Sequence, residues 1–253
     1  MFFYRVKISY KGSEFYGWQS QPKENKETIQ DTIHQALRKI AKFEKCFVIG
    51  ASRTDAGVHA QGQVAKLCIP KEVDASKLLL GLNSLLPKDI RILDCKQCEQ
   101  DFNPINDAVT KEYHFYFSNN AVEMPLFNAV VDHVLTPLNL DLVKEACRVF
   151  VGEYDFYNFA RRDGNALTTN REITKCELLK TKFSPISDDV YYISVEGTGF
   201  LRQMVRYMVG AIFAIGHEKN TIEQLREYLQ NKKELKFSPK ANACGLHLYQ
   251  INY

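Results

Sequence analysis

Three ionisable side chains stand close together in one short stretch, Gly50-Ala51-Ser52-Arg53-Thr54-Asp55-Ala56-Gly57-Val58-His59-Ala60. An aspartate can serve as a nucleophile or general base, and a histidine can donate or accept a proton. An arginine beside them supplies a cation that favours the ionised form of a carboxylate. The stretch follows an apolar run, Cys46-Phe47-Val48-Ile49, that reads as a buried strand, and a second run, Val64 to Ile69, begins just after Gly62. The connection between them is longer than the usual strand-to-strand turn of about two to five residues. Gly50 and Gly57 permit backbone angles that side chains forbid and let another molecule come close. Catalytic residues tend to lie on loops held by a scaffold. The plain alternative is an Asp-Ala-Gly turn with solvated charges.

Length and composition narrow the class. A chain of 253 residues can bury a substantial core as one large domain or two joined ones. Hydrophobic residues at 45% and charged ones at 25% are ordinary globular values and argue against disorder. A formal charge of +3 neither establishes nor excludes a nucleic-acid partner, because a local basic groove is what matters. Seven scattered cysteines without a spaced framework read as reduced thiols. Cys95 and Cys98 are a close pair, but no second pair or histidine follows at ligand spacing, so no metal site is expected. Nor is a phosphate-cradling Gly-x-x-x-x-Gly-Lys motif or a dinucleotide fingerprint present. The first residues alternate like a strand and lack the apolar segment of a signal peptide. The apolar stretch from Phe200 to Ile215 carries Arg202, Gln203 and Arg206 and is too short and polar for a membrane span. A soluble, cytoplasmic protein is the expectation.

The elements that would position the loop follow from periodicity. Tyr4, Val6 and Ile8 alternate with polar residues as in a half-buried strand, and Gln19 to Glu27, with Pro22, reads as a loop. Thr28-x-x-Asp31 caps a helix whose face is Ile29, Ile33, Ala36, Leu37 and Ile40. Strands near 46–50 and 63–69, a helix from Leu78 to Leu86 stopped by Pro87, and a strand from Ile90 to Cys95 complete a β-α-β-β-α-β order, that of a ferredoxin-like split unit. The second half repeats the theme. It reads as strands at 113–117, 129–135, 171–180, 190–196 and 246–251, and helices at 142–150, 199–216 and 221–229.

Ser52-Arg53-Thr54-Asp55-Ala56-Gly57-Val58-His59-Ala60, followed by Gly62-Gln63, resembles the signature loop of the tRNA pseudouridine synthase A family. Other landmarks of that family occur in its order: Tyr10-x-Gly12 with Phe15-Tyr16-Gly17-Trp18-Gln19, Lys111-x-Tyr113, Phe200 to Arg206 ending at Gly210, and Gly245-Leu246. The resemblance covers essentially the whole chain. It implies an α+β fold of two ferredoxin-like halves, residues 1–108 with the catalytic loop and 109–253, joined in a mixed, mainly antiparallel sheet with a central active-site cleft. It also implies a cofactor-free isomerase, a homodimer, that converts uridine to pseudouridine in the anticodon arm of tRNA.

The same resemblance assigns roles. Asp55 is the essential carboxylate, with Arg206 as its cation and Arg53 as an RNA phosphate or ribose contact. Tyr113 stacks on the displaced uracil, and Leu246 lines the same pocket. His59 is read as a loop-ordering residue, since the chemistry already has its carboxylate. Arg161, Arg162, Arg171, Lys232 and Lys233 are candidate phosphate contacts. One departure stands out: Asn103-Pro104-Ile105 replaces the family's His-x-Arg, so a cation is missing there. Two other readings compete. A non-catalytic RNA-binding module would bind through its aromatic strands alone and would not need Asp55. A nucleoside-cleaving hydrolase would release free uracil.

Overall fold

In the computed structural model, which describes residues 1–21, 27–161, 168–182 and 190–253, alternation decides the first strand. Along β1 (Phe2–Tyr10), Tyr4, Val6, Ile8 and Tyr10 are buried while Arg5 and Lys7 are exposed. Helix α1 (Ile29–Ile40) begins where the Thr28 hydroxyl accepts the Asp31 N–H, and it buries Ile29, Ile33, Ala36 and Leu37. Strands β2 (Phe47–Gly50) and β3 (His59–Ile69) flank the signature loop. Helix α2 (Ala75–Leu85) is capped by Asp74, which accepts from Lys77 N–H at 3.0 Å, and β4 (Ile90–Gln97) follows. β1 pairs antiparallel with both β3 and β4, and β2 pairs antiparallel with β3, the arrangement of a split βαβ unit.

The chain divides into two compact units, Met1–Val109 with Leu248–Tyr253, and Thr110–His247. In the second, β5 (Thr110–Ser118) is followed by a two-residue strand β6 (Asp132–His133) parallel to its end. Next come α3 (Leu140–Val149), β7 (Gly152–Asp155), a 3-10 turn over Phe156–Phe159, β8 (Asn170–Thr181) and β9 (Val190–Gly197). Helix α4 (Met204–Gly216), α5 (Ile222–Gln230) and β10 (Leu246–Asn252) close the chain. Within the second unit the strands run β5-β9-β8-β7, while from Leu248 onward β10 lies beside β3 in the first unit; all belong to one ten-stranded, mainly antiparallel sheet. Phe213 of α4 meets Phe115 and Phe117 of β5 edge-on, with ring centroids at 5.7 and 5.0 Å, so this helix covers one face of the strands of the second unit. The architecture is α+β throughout.

Several elements differ from the periodicity reading. The strand expected over 129–135 shrinks to Asp132–His133. The helix expected from Gly199 starts only at Met204, because Gln203 takes a left-handed conformation, φ +62°, just before it. β3 starts at His59, so part of the signature stretch is already strand. β7 and the 3-10 turn carry too short a pattern to register. The loop residues around Pro22 lie outside the described residues.

Candidate active site

The loop between β2 and β3 is fastened residue by residue. Ala51 N–H donates to Val64 O at 2.8 Å. Gln63, fully buried, then grips Ser52 twice: its Oε1 accepts the Ser52 N–H at 3.2 Å and its Nε2 donates to Ser52 O at 2.7 Å. The register of β1 against β3 slips between Ile8 and Tyr10, which sets Tyr10 opposite Ala60. The Tyr10 hydroxyl shares a 2.8 Å hydrogen bond with the Thr54 hydroxyl inside the core. Thr54 O accepts the backbone N–H of the buried Trp18 at 3.1 Å.

Asp55 opens a turn in which its carbonyl accepts Val58 N–H at 3.2 Å, and Gly57 has φ +77°. A glycine at the third position of such a type II turn meets the positive φ without steric cost. Gly17, at φ +88°, approaches from the other side; a Cβ there would stand 2.6 Å from Thr54 O. His59 is buried, and its Nδ1 accepts Gly12 N–H at 3.1 Å, so the ring is neutral and serves to tie the first strand's end to the loop. The result is a half-buried Asp55 in a turn anchored by the buried Thr54 and Val58, with Arg53 and Ala56 exposed. A carboxylate whose backbone is held this closely is preorganised for chemistry.

The other expected site residues belong to the second unit. Tyr113 on β5 is buried and packs edge-on against Phe200, at 5.0 Å and 78°. Lys111, two residues earlier on the same strand, has its pKa lowered by burial. Arg206, in the first turn of α4, donates from Nε to Ala241 O at 2.8 Å, while Ala241 N–H donates to Arg206 O at 2.9 Å. Leu246 is buried at the start of β10, its N–H bonded to Ala243 O at 3.0 Å. Thus Arg53 and Asp55 lie in one unit, and Tyr113, Arg206 and Leu246 in the other.

The candidate phosphate contacts are mostly occupied locally. Lys232 pairs with Asp155 at 3.3 Å, Lys233 with Glu227 at 2.5 Å, and Arg171 donates to the carbonyls of Thr168 and Asn170. Arg161 is exposed, and Arg162 lies outside the described residues. At the departure from the family pattern, Asn103 organises its own turn, its Oδ1 accepting from Ile105 N–H at 2.9 Å and Asn106 N–H at 3.2 Å. The carbonyls of Gln100 and Phe102 are taken by the buried Lys66 ammonium at 2.5 and 2.9 Å. Periodicity gave no sign of the Asp132–Asn242 bond, 2.8 Å long, since its partners are 110 residues apart. The seven cysteines are free thiols, and burial pushes Cys95 up to about 12.

A split βαβ scaffold that displays a closely held aspartate, with a tyrosine strand and an arginine helix in a second unit, defines an α+β class of fold. Comparison with known proteins gives the particular family. The sequence profile of tRNA pseudouridine synthase matches residues 7–105 and 146–253. A tRNA pseudouridine synthase A 2 of Desulfotalea psychrophila is 43% identical, over 99% of this chain and 98% of its own. A tRNA pseudouridine synthase A 1 of Protochlamydia amoebophila is 34% identical over 99% of this chain and 96% of its own, and the tRNA pseudouridine synthase A of Oenococcus oeni is 34% identical over 99% and 97%. The chain belongs to the tRNA pseudouridine synthase family.

Proposed function

We propose that this protein is an isomerase that converts uridine to pseudouridine in the anticodon stem-loop of tRNA, with Asp55 as the essential carboxylate. The observation that carries this reading is the intact loop from Ser52 to Ala60, clamped by Gln63, Tyr10 and Trp18, in a chain 43% identical to a tRNA pseudouridine synthase A. The reaction breaks the bond from ribose C1′ to base N1 and forms one from C1′ to C5. The base loses the proton at C5 and gains one at N1, so no electrons or atoms are exchanged and no cofactor is required. An ionised carboxylate serves either route to this outcome, by attack at C1′ or by removing a ribose proton to give a glycal.

Arg206 supplies the cation that favours the ionised Asp55, and Arg53 contacts RNA phosphate or ribose. Tyr113 stacks on the displaced uracil, worth about 1–3 kcal/mol per base, which helps offset the few kcal/mol of unstacking. Leu246 lines the uracil pocket. The protein is proposed to act in the cytoplasm as a homodimer. The test is to map pseudouridine in bulk tRNA incubated with purified protein in the presence of a chelator. New pseudouridine in the anticodon arm supports the reading. Binding without conversion would point to a plain RNA-binding module, and release of free uracil to a hydrolase.

A further inference from the structure

We propose that Asp132, on the two-residue strand β6, is a positioning residue for Arg206, acting through Asn242 and the irregular strap from Pro239 to Gly245. The inference rests on the assignment of Arg206 to the reaction, and all of its geometry lies within the second unit. The Asp132 carboxylate is only 7% exposed. Its Oδ1 accepts from Asn242 Nδ2 at 2.8 Å, and the Cys244 thiol points at the same oxygen from 3.9 Å. One residue before Asn242, Ala241 bonds Arg206 twice, through the side-chain Nε at 2.8 Å and the main-chain carbonyl at 2.9 Å. One turn further along α4, a Cβ on Gly210 would stand 2.0 Å from Pro239 O. The strap therefore lies directly on the helix face that carries Arg206, and its far end is tied to Asp132.

Two physical points give this arrangement a purpose. A guanidinium is planar, so fixing Nε on one carbonyl fixes the plane in which its other donors point. The carbonyl in question sits in non-helical, non-strand backbone, whose position depends on side-chain anchors. A buried carboxylate is costly and gives little net stability. Burial raises the Asp132 pKa, opposed by Asn242, Cys244, His133 and the charge of Arg206. Asp132 is thus within electrostatic reach of the arginine it helps to orient. The strap also runs directly into Leu246, so the same anchor sets the start of β10.

The test compares turnover of tRNA by Asp132→Ala and Asp132→Asn, each alone and in an Arg206→Lys background, with a thermal melt to measure the folded fraction. Asp132→Ala should lower kcat about tenfold or more while KM for tRNA stays within about twofold, the signature of a misplaced group rather than lost binding. Asp132→Asn keeps an oxygen that accepts from Asn242 and should retain most of the activity. In Arg206→Lys, which has no Nε to orient, Asp132→Ala should add no further loss. The proposal is overturned if Asp132→Ala turns over like the parent, if Asp132→Asn is as damaged as Asp132→Ala, or if the two losses multiply. Should Asp132→Ala fail to fold, Asn242→Ala breaks the same tie and must reproduce the kcat loss. An Arg206→Ala variant as active as the parent would instead remove the assignment of Arg206 itself.

Discussion

Gln63 holds both backbone polar groups of Ser52, accepting its N–H at 3.2 Å and donating to its carbonyl at 2.7 Å, three residues before Asp55. This side chain is fully buried and stands in β3 opposite Ile8 of β1. Replacing it by alanine strips three hydrogen bonds, the two to Ser52 and one accepted from Val64 N–H at 3.2 Å, and leaves a void, a loss of about 2–3 kcal/mol. Urea denaturation of Gln63→Ala should report that loss, and kcat should fall in the folded protein. An unchanged midpoint with unchanged kcat would mean the loop is held by other means.

Gly17, in the segment between β1 and α1, packs directly on the loop. At φ +88°, and with a Cβ position 2.6 Å from Thr54 O, Gly17→Ala must displace the peptide next to Asp55. The backbone strain alone costs about 1–2 kcal/mol. Kinetics well below the melting temperature should show kcat reduced by more than tenfold, about the effect of a misplaced catalytic group. A variant that melts lower but turns over normally would contradict the close coupling of Gly17 to the aspartate.

Tyr113→Phe keeps the ring packed on Phe200 and removes only the hydroxyl. A binding assay and single-turnover kinetics on the same variant separate the two roles. If stacking is its main service, tRNA affinity and folding persist; a hydroxyl that takes part in proton transfer shows as a drop in turnover alone. Loss of folding would make Tyr113 a core residue and nothing more.

The buried trio Glu112, His114 and Ser194 on β5 and β9 makes stability depend on pH. Burial raises the Glu112 pKa, but hydrogen bonds from His114 and Ser194, each 2.8 Å, bring it below the usual glutamate value. Burial pushes His114 down, against the pull of Glu112. Both groups bind protons more readily in the unfolded chain, so they contribute stability fully above about pH 6.5 and lose it as pH falls, through the histidine first and then the glutamate. Asp132, raised by burial, works in the opposite direction and is common to the proteins compared. The difference in melting temperature between parent and a Glu112→Gln/His114→Gln double variant should therefore be largest near neutral pH and shrink in acid. A difference constant from pH 7 to pH 4 would contradict this sign.

The family was legible because its loop survives as a literal string, and because Tyr10, Gly17 and Trp18, although far upstream of the loop they touch, stand in the family's order. Regular alternation marked β1, capping marked α1, and a continuous apolar run marked the later part of β3. What stayed hidden was long-range or non-periodic. The Asp132–Asn242 tie spans most of the second unit, and the left-handed Gln203 interrupts a run whose apolar spacing is helical throughout. The stretch from Ala129 to Leu135 is rich in β-branched and apolar residues, yet only Asp132 and His133 find strand partners.

Asp55 is proposed to carry the chemistry. Asp55→Asn preserves shape and hydrogen bonding while removing the nucleophile and base, so it isolates that role. Pseudouridine formed in tRNA should be measured under single-turnover conditions alongside tRNA affinity. Conversion should fall to background with tRNA still bound, as tightly as in the parent or more so, since a negative charge facing the phosphate backbone is gone. Turnover by Asp55→Asn comparable to the parent would contradict it.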